Sequence, residues 1–355
     1  MEKWLVLSEH DVGAWRRAYQ RGERPAALPY GVDALLGLGV DLAAPDPLPD
    51  RPWLQKAATA AHHRLGYPVH RLLSARRLLP EADVVLALME AEGAAAAQAR
   101  YRRVGVFADT AVVIFGCWLA DDLTRATPAG RAALLRRYRG ADLITHFTHQ
   151  ETAVLVEAGF APEQLLRVTS GFSHRYYVPD PTVAKDIDIL SVGQDRGRDY
   201  ATLFAAVEGT DLRVDVVCKP QNLAGLTVPD NVTLHGTVDL PTYRRMLQRA
   251  RVVVVPTHVM MYPTGSSVAL EAAATGACVV VSDTPGMREL FINGQTALMP
   301  ASGDPDALRD ALVMADGDPD LRARLGRAAR AAVERTYNAD NLWREVYEHW
   351  TALAR

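Results

Sequence analysis

Short apolar runs alternate with longer amphipathic segments along the whole chain. This alternation is typical of α/β units built on parallel sheets. Helical spacing of apolar residues predicts helices at Val69–Leu79 and Arg131–Tyr138. Four short apolar runs in the first half are predicted to be strands: Trp4–Ser8, Asp83–Leu88, Ala111–Phe115 and Ala141–Phe147.

A proline-containing segment without periodicity, Tyr176–Lys185, has the features of an inter-domain linker. We therefore expect two doubly wound domains, formed by residues 1–178 and 186–336. The segment 337–355 has apolar and aromatic residues at helical spacing, and it must bury them on the second domain or return onto the first. Five further strands are predicted after the linker: Ile187–Val192, Val214–Cys218, Val232–Leu234, Val252–Pro256 and Cys278–Ser282.

Composition narrows the class of protein further. The chain has 355 residues, of which 49% are hydrophobic, and its net charge of −3 gives no general attraction to nucleic acid. Its three cysteines are far apart, which fits a reducing compartment better than a disulfide framework. The apolar run at the N-terminus is too short for a signal peptide, and no run reaches the roughly 18 residues of a membrane span. We expect a cytoplasmic protein of unknown oligomeric state.

The segment Pro263–Met287 carries the clearest candidate chemistry. Gly265, Ser266 and Ser267 precede an apolar helical run, so free amides, two hydroxyls and the positive end of a helix dipole favour a phosphate site. Glu271 lies further along that helix, where it can reach a ribose diol. The alternative is an ordinary cap by Ser266 or Ser267 together with a solvated glutamate.

This segment resembles the signature region of the retaining glycosyltransferases of family 4, which have the GT-B fold of two facing Rossmann-like domains. Leu270–Gly276 (LEAAATG) followed by Cys278–Val281 matches the family's helix and strand, and Ser282–Pro300 resembles the loop that follows. The first acid of the family's Glu-x7-Glu pair is absent, because Pro263 stands there. We expect a variant of the GT-B fold that keeps the pyrophosphate site.

The resemblance also implies roles for residues on the donor side. Glu271 would bind the ribose, and Gly265, Ser266 and Ser267 would hold the pyrophosphate. Arg198 falls on the family's lysine position. Gln194 replaces the family's usual arginine, and Arg196 would stand in for it. Both arginines would then stabilise the departing diphosphate. Further donor-binding candidates follow strand ends: Gly193, Lys219, Thr237 and Val238.

On the acceptor side, we expect His10 and Glu90 to orient the acceptor hydroxyl, since each follows a predicted strand. The loops expected to face the cleft include Met89–Glu92, Cys117–Asp122 and His146–His149. No tightly bound cofactor and no metal are required, because cations and a helix end neutralise the leaving group. The resemblance implies a UDP-, GDP- or dTDP-linked sugar as the donor and a small molecule or a glycan as the acceptor.

Two alternatives to transfer by a retaining glycosyltransferase remain open. One is a sugar-nucleotide epimerase or hydrolase on the same fold, and the other is a nucleotide-sugar-binding protein that has lost turnover. Two basic amphipathic stretches, His70–Arg77 and Arg131–Arg139, are either solvated helix faces, the commoner case, or surfaces for weak contact with an anionic membrane.

Overall fold

The computed structural model describes residues 1–48 and 51–353, which form two compact units. The first unit contains the chain up to Thr169, apart from Glu23–Pro25, and the chain from Leu342 onward. The second contains Glu23–Pro25 and Ser170–Asn341. The predicted first domain and C-terminal segment also include residues 49, 50, 354 and 355, which lie outside the described residues.

The first unit has a parallel sheet of six strands. The strands are β1 (Lys3–Leu7), β2 (Asp41–Ala43), β3 (Val84–Leu88), β4 (Ala111–Phe115), β5 (Leu143–His146) and β6 (Leu165–Arg167). Their order in the sheet is β2-β1-β3-β4-β5-β6. The four strands predicted from apolar runs are β1, β3, β4 and β5. The other two are edge strands of three residues each, too short to produce a hydrophobic pattern.

The helices of this unit lie in the connections between its strands. They are α1 (Val12–Gln20), α2 (Pro52–Leu65), α3 (Val69–Ala75), α4 (Glu90–Tyr101), α5 (Leu119–Arg125), α6 (Pro128–Arg137) and α7 (His149–Ala158). Short 3₁₀ segments lie at Pro29–Leu38, Leu79–Glu81, Gly105–Ala108 and Pro162–Gln164. Alanines at positions 94 to 97 of α4 are buried, which lets this helix lie close to the sheet.

Two helix predictions need correction at their ends. The helix predicted to reach Leu79 ends at Ala75, because the amides of Arg76 and Leu78 bond to carbonyls three residues back, not four, and the chain continues into a 3₁₀ segment. The helix predicted to begin at Arg131 begins at Pro128. Thr127 caps it by accepting a hydrogen bond from the Gly130 amide at 3.2 Å.

The second unit contains a parallel sheet of five strands, and each corresponds to a predicted strand. They are β7 (Ile187–Val192), β8 (Val214–Val217), β9 (Val232–Gly236), β10 (Ala250–Val255) and β11 (Cys278–Val281), in the order β11-β10-β7-β8-β9. The helices are α8 (Tyr200–Val207), α9 (Leu240–Arg249), α10 (Ser266–Ala274), α11 (Pro285–Arg288), α12 (Pro305–Gly317) and α13 (Pro319–Arg335), with a 3₁₀ segment at Pro220–Leu223.

The last helix, α14 (Ala339–Leu353), returns onto the first unit. The indole of Trp343 donates to the carbonyl of Tyr30 at 2.9 Å, and that of Trp350 donates to the carboxylate of Glu2 at 2.8 Å. The rings of Trp350 and Trp4 lie 6.4 Å apart, edge to face. Of the two predicted positions for this aromatic face, the return onto the first unit is therefore confirmed.

Candidate functional site

The sheet topology of each unit indicates where a ligand would bind. In an open α/β sheet, ligands bind beyond the carboxyl ends of the strands, where the strand order reverses. That point lies between β1 and β3 in the first unit and between β7 and β10 in the second. The loops 193–199 and 256–265 follow β7 and β10, so the second unit brings these two predicted segments to one edge of its sheet.

Arg198 is held in the middle of this edge. Its side chain is 5% exposed, and its Nε donates to Oδ2 of Asp195 at 3.0 Å. Its Nη1 is buried and has no hydrogen-bond partner among residues 1–48 and 51–353. A buried guanidinium with an unused donor is costly unless an acceptor joins it. The arrangement therefore leaves one strong donor available for an anion.

Asp195, which sequence reasoning missed, joins the two loops. Its Oδ1 accepts from the amide of Gly197 at 2.9 Å and from the hydroxyl of Thr264 at 2.6 Å, while its Oδ2 holds Arg198. The loops after β7 and β10 thus fix the position of Arg198 together. The only sequence signal was an Asp-x-Gly turn directly before an arginine.

Gly265 starts α10 in a way that keeps its amino end open. It is the N-cap residue, with φ at 83°, and no side chain caps the helix. The alternative in which Ser266 or Ser267 caps the helix is therefore wrong. The first backbone bond of the helix runs from Ala269 to the carbonyl of Gly265 at 3.0 Å, so the amides of Ser267 and Val268 precede it. Such amides, with the helix dipole, favour an anion.

Two glycines make room for the guanidinium. A Cβ atom at Gly193 would lie 2.0 Å from Nε of Arg198, and one at Gly265 would lie 2.7 Å from its Nη1. Gly193, Arg198 and Gly265, three of the predicted donor-side residues, are therefore in direct contact. We call this group the arginine cradle.

Gly265→Ala tests the cradle. The new Cβ would meet Val255 at 2.5 Å and Arg198 at 2.7 Å, and the left-handed φ adds strain. We expect the free energy of unfolding to fall by about 2–3 kcal/mol and nucleotide affinity to fall with it. Gly294→Ala is the matched control, because its φ is 72° and nothing lies within 4 Å of the added Cβ. Equal losses in both variants, by chemical denaturation, would show that the contact with Arg198 is unimportant.

Glu271 lies in the same part of the unit and is half-buried. Its Oε2 accepts from the hydroxyl of Tyr243 at 2.6 Å, and Tyr177 also hydrogen-bonds it. Burial raises the pKa of Glu271 to about 7, while these hydrogen bonds and the positive charge of Arg198 act in the opposite direction. The solvated glutamate of the alternative interpretation is therefore wrong. Tyr177 and Tyr243 were not predicted as partners of Glu271, because their approach depends on tertiary packing.

The raised pKa of Glu271 makes stability depend on pH. Between about pH 4.5, the ordinary value for glutamate, and about 7, the folded protein binds a proton that the unfolded chain has lost. The free energy of unfolding should therefore fall as pH rises through this window. Glu271→Gln should make that fall shallower, as measured by urea denaturation at half-unit steps from pH 4.5 to 8. Parallel pH profiles for the two proteins would contradict the shifted pKa.

The remaining predicted donor-side residues lie at strand ends around the cradle. Arg196 is exposed on the loop after β7. Lys219 is exposed directly after β8, and this connection is joined to the loop after β7 by Asn222, whose side-chain amide donates to Gln194 at 3.2 Å. Thr237 and Val238 follow β9, the edge strand, which is two strands away from β7. Their roles remain predictions.

In the first unit, His10 and Glu90 follow β1 and β3, the two strands at its reversal point. His10 is half-buried, and its ring lies 5.0 Å from that of Trp15. Glu90 was expected on a loop, but it is the first residue of α4. Its Oε1 accepts from the amides of Cys117 and Trp118, each at 2.5 Å, and burial raises its pKa. Backbone amides thus occupy this carboxylate. Its predicted role, to orient the hydroxyl of the acceptor substrate, remains a prediction.

Two neighbouring segments also differ from expectation. The predicted loop at Cys117–Asp122 runs into α5 at Leu119. Within α4, Glu92 is buried, 3.9 Å from Nε of Arg71, and burial raises its pKa to about 7. Neither residue of this pair was identified as a site residue from the sequence.

Among residues 1–48 and 51–353, no group of three or more His, Cys, Asp and Glu side chains is arranged to hold a metal ion. No helix in the same ranges has both the length and the apolar character needed to cross a membrane.

Part of the second unit matches known proteins. Residues 199–315, which include Glu271 and the cradle's Gly265, match the family model of glycosyl transferases group 1. A curated relative, glycogen synthase of Mycobacterium tuberculosis, is 39% identical over 95 residues. That alignment covers 27% of this chain and 22% of the relative, so the chain matches about a fifth of the relative's length.

Two solved structures are similar along almost the whole chain. Sucrose-phosphate synthase from Thermosynechococcus elongatus has a TM-score of 0.72 at 17% identity, covering 99% of both chains. Anabaena HepE, solved in complex with UDP and glucose, has a TM-score of 0.67 at 15% identity, covering 99% of this chain and 100% of its own. The fold is therefore of the predicted GT-B class. The family match and the curated relative point to a glycosyltransferase over the part of the chain that they cover.

Proposed function

We propose that this protein is a retaining glycosyltransferase that moves a sugar from a nucleoside diphosphate to an acceptor hydroxyl. The observation that carries the proposal is the arginine cradle. A buried guanidinium with an unused Nη1 lies beside the open amino end of α10, at the point where ligands bind in open α/β sheets. The phosphate oxygens of a nucleoside diphosphate are negatively charged acceptors, which suits a guanidinium and backbone amides as donors.

The chemistry of the reaction explains why such donors would matter. As the glycosidic bond breaks, the leaving diphosphate gains negative charge, and fixed donors stabilise the transition state more than the bound ground state. Arg198 is fixed by Asp195, so it needs little reorganisation during the reaction. We assign the pyrophosphate to Arg198 with the start of α10, and a supporting role to the exposed Arg196.

We propose that the ribose binds at Glu271. This carboxylate lies five residues into α10 from its first residue, and Arg198 is near enough to influence its pKa. A carboxylate accepts hydrogen bonds from two ribose hydroxyls. The nucleobase would lie toward Lys219, Thr237 and Val238, beyond β8 and β9. The HepE complexes, which contain UDP or UDP-glucose, support uridine as the first nucleotide to test.

The acceptor would bind in the first unit, near His10 and Glu90. Because backbone amides occupy the Glu90 carboxylate, we assign it to shaping this end of the sheet and His10 to orienting the acceptor hydroxyl. Retention follows if the donor phosphate takes the acceptor proton on the same face of the sugar, so no strong protein base is needed.

A donor-turnover assay tests the proposal. The protein is incubated with UDP-, GDP-, dTDP- or ADP-glucose, with and without a panel of sugar and lipid-linked acceptors, and products are followed by NMR. We expect nucleoside diphosphate release that depends on acceptor, and a product with the anomeric configuration of the donor. A product of opposite configuration would contradict retention.

The same assay separates the alternatives. Equal donor consumption without acceptor indicates a hydrolase, and a changed sugar on an intact nucleotide indicates an epimerase. Nucleotide binding without consumption of any donor indicates a binding protein that has lost turnover. Each of these results would contradict the transferase.

A further inference from the structure

A second basic site lies in the first unit, away from the residues that follow β1 and β3. It is a surface cavity of about 330 Å³ next to the C-terminal ends of α4 and α6. Four arginines and no carboxylate line it: Arg102, Arg136, Arg137 and Arg139. Helices α4 and α6 lead into β4 and β5, so their C-terminal ends lie on the side of the sheet where these strands begin. His10 and Glu90 follow the ends of β1 and β3. The cavity therefore lies at the opposite edge of the parallel sheet from His10 and Glu90.

These four arginines have no acidic partner in the described part of the chain. None of them forms an ion pair with a carboxylate of the described residues, whereas the neighbouring Arg100 pairs with Asp142 at 2.8 Å. Arg139 lies over the ring of Tyr101, with its guanidinium carbon 5.9 Å from the ring centre. Four like charges around one cavity repel each other, and a bound anion would relieve that repulsion.

The backbone that carries these arginines is fixed. The side-chain amide of Gln98, a buried residue of α4, donates to the carbonyl of Arg136 at 2.8 Å and to that of Arg137 at 2.9 Å. Gly66 allows close approach on the other side, since a Cβ there would lie 2.9 Å from Nη2 of Arg137. The cavity is therefore held by contacts between α4, α6 and the end of α2.

Cations at helix C-termini also interact favourably with the helix dipole. That effect explains arginines in the last turn of a helix. It does not explain why arginines from α6 and from the residues that follow α4 and α6 line one cavity without any carboxylate between them. The two explanations differ in what they predict for added anions, because only a binding site gains stability from a specific ligand.

We propose that this cavity binds the phosphoryl group of a second ligand, separate from the diphosphate of the donor. The planar guanidinium offers paired donors that match phosphate oxygens, and several arginines suit a dianion better than a single carboxylate. The volume is at the lower end of the range for small-molecule sites. The half-exposed ring of Tyr101 offers a face for the sugar of a sugar phosphate or for the glycerol of a lipid headgroup.

The test uses the full-length chain carrying Arg198→Ala, so that the arginine cradle does not account for phosphate binding. Arg136→Gln with Arg139→Gln removes two cavity charges. The matched control is Arg16→Gln with Arg327→Gln, two exposed arginines outside the cavity. Calorimetry measures the Kd for inorganic phosphate and glucose 6-phosphate, with glucose as the neutral comparison. Sedimentation measures binding to phosphatidylcholine vesicles with and without phosphatidylglycerol.

We expect the cavity variant to weaken binding of the phosphorylated ligand by about tenfold or more, and the control to leave it unchanged. Binding of glucose 6-phosphate identifies a soluble source, and binding only to vesicles with phosphatidylglycerol identifies a lipid headgroup. The proposal is overturned if neither binds, or if the cavity and control variants lose binding equally. Because donor turnover is measured separately on the chain with Arg198 intact, failure here leaves the transferase proposal unaffected.

Discussion

Arg198→Ala should lower kcat by about 10²- to 10³-fold, the range seen when one fixed donor to a developing charge is removed. The Nη1 atom of Arg198 is buried and has no partner in the described part of the chain, so its strongest interaction is expected with the oxygen that gains charge as the sugar leaves. UDP affinity should fall less, by about tenfold. Steady-state kinetics together with calorimetry of UDP binding measure the two effects separately.

Two variants control for charge and position. Arg196→Ala removes an exposed arginine from the same loop and should lower kcat by less than tenfold. Arg198→Lys keeps the charge but loses the bond from Nε to Asp195, so it should recover only part of the activity. If Arg196→Ala and Arg198→Ala lower kcat equally, the cradle is not the centre of the diphosphate site.

Glu271→Ala should raise the Kd for UDP by about 10- to 100-fold, the effect of losing one or two charge-assisted hydrogen bonds to the ribose. At saturating donor, kcat should change much less, because the ribose does not take part in bond breaking. The sharper measurement compares UDP with 2′-deoxy-UDP. The wild-type protein should prefer UDP, and Glu271→Ala should remove most of that preference.

Tyr243→Phe is the matched control, since it retains the carboxylate and removes only the hydroxyl that donates to it. It should keep the preference for UDP over the deoxy form. If Glu271→Ala weakens both nucleotides by the same factor, Glu271 supports the fold and does not bind the ribose.

The alternation of apolar runs predicted every strand of the second sheet, because buried parallel strands are continuous apolar segments of distinctive length. The same pattern could not predict β2 or β6, whose three residues each owe their conformation to a neighbouring strand. The ends of helices were predicted less well, since local hydrogen bonds decide them, such as the bond from Leu78 to Ala75 after α3 and the cap at Thr127 before α6.

The donor-side segments could also be found in the sequence, because Gly265 and Arg198 lie in short loops next to strands. The contact between Gly265 and Arg198 could not be predicted, because it depends on the pairing of β7 with β10, which are far apart in the chain. The same holds for Asp195, which bonds Thr264 across 69 positions, and for the tyrosines around Glu271. The hydrogen bonds of the Glu90 carboxylate come from two amides of the loop after β4, and no local sequence pattern indicates them.

The most direct test of the proposed donor site is calorimetry of UDP, UMP and uridine with the wild-type protein and Arg198→Ala, followed by GDP, dTDP and ADP. We expect one nucleoside diphosphate to bind more tightly than its monophosphate by about tenfold or more, and Arg198→Ala to remove most of that difference. If no nucleoside diphosphate binds to the wild-type protein, or if the second phosphate adds no affinity, the arginine cradle is not a diphosphate site.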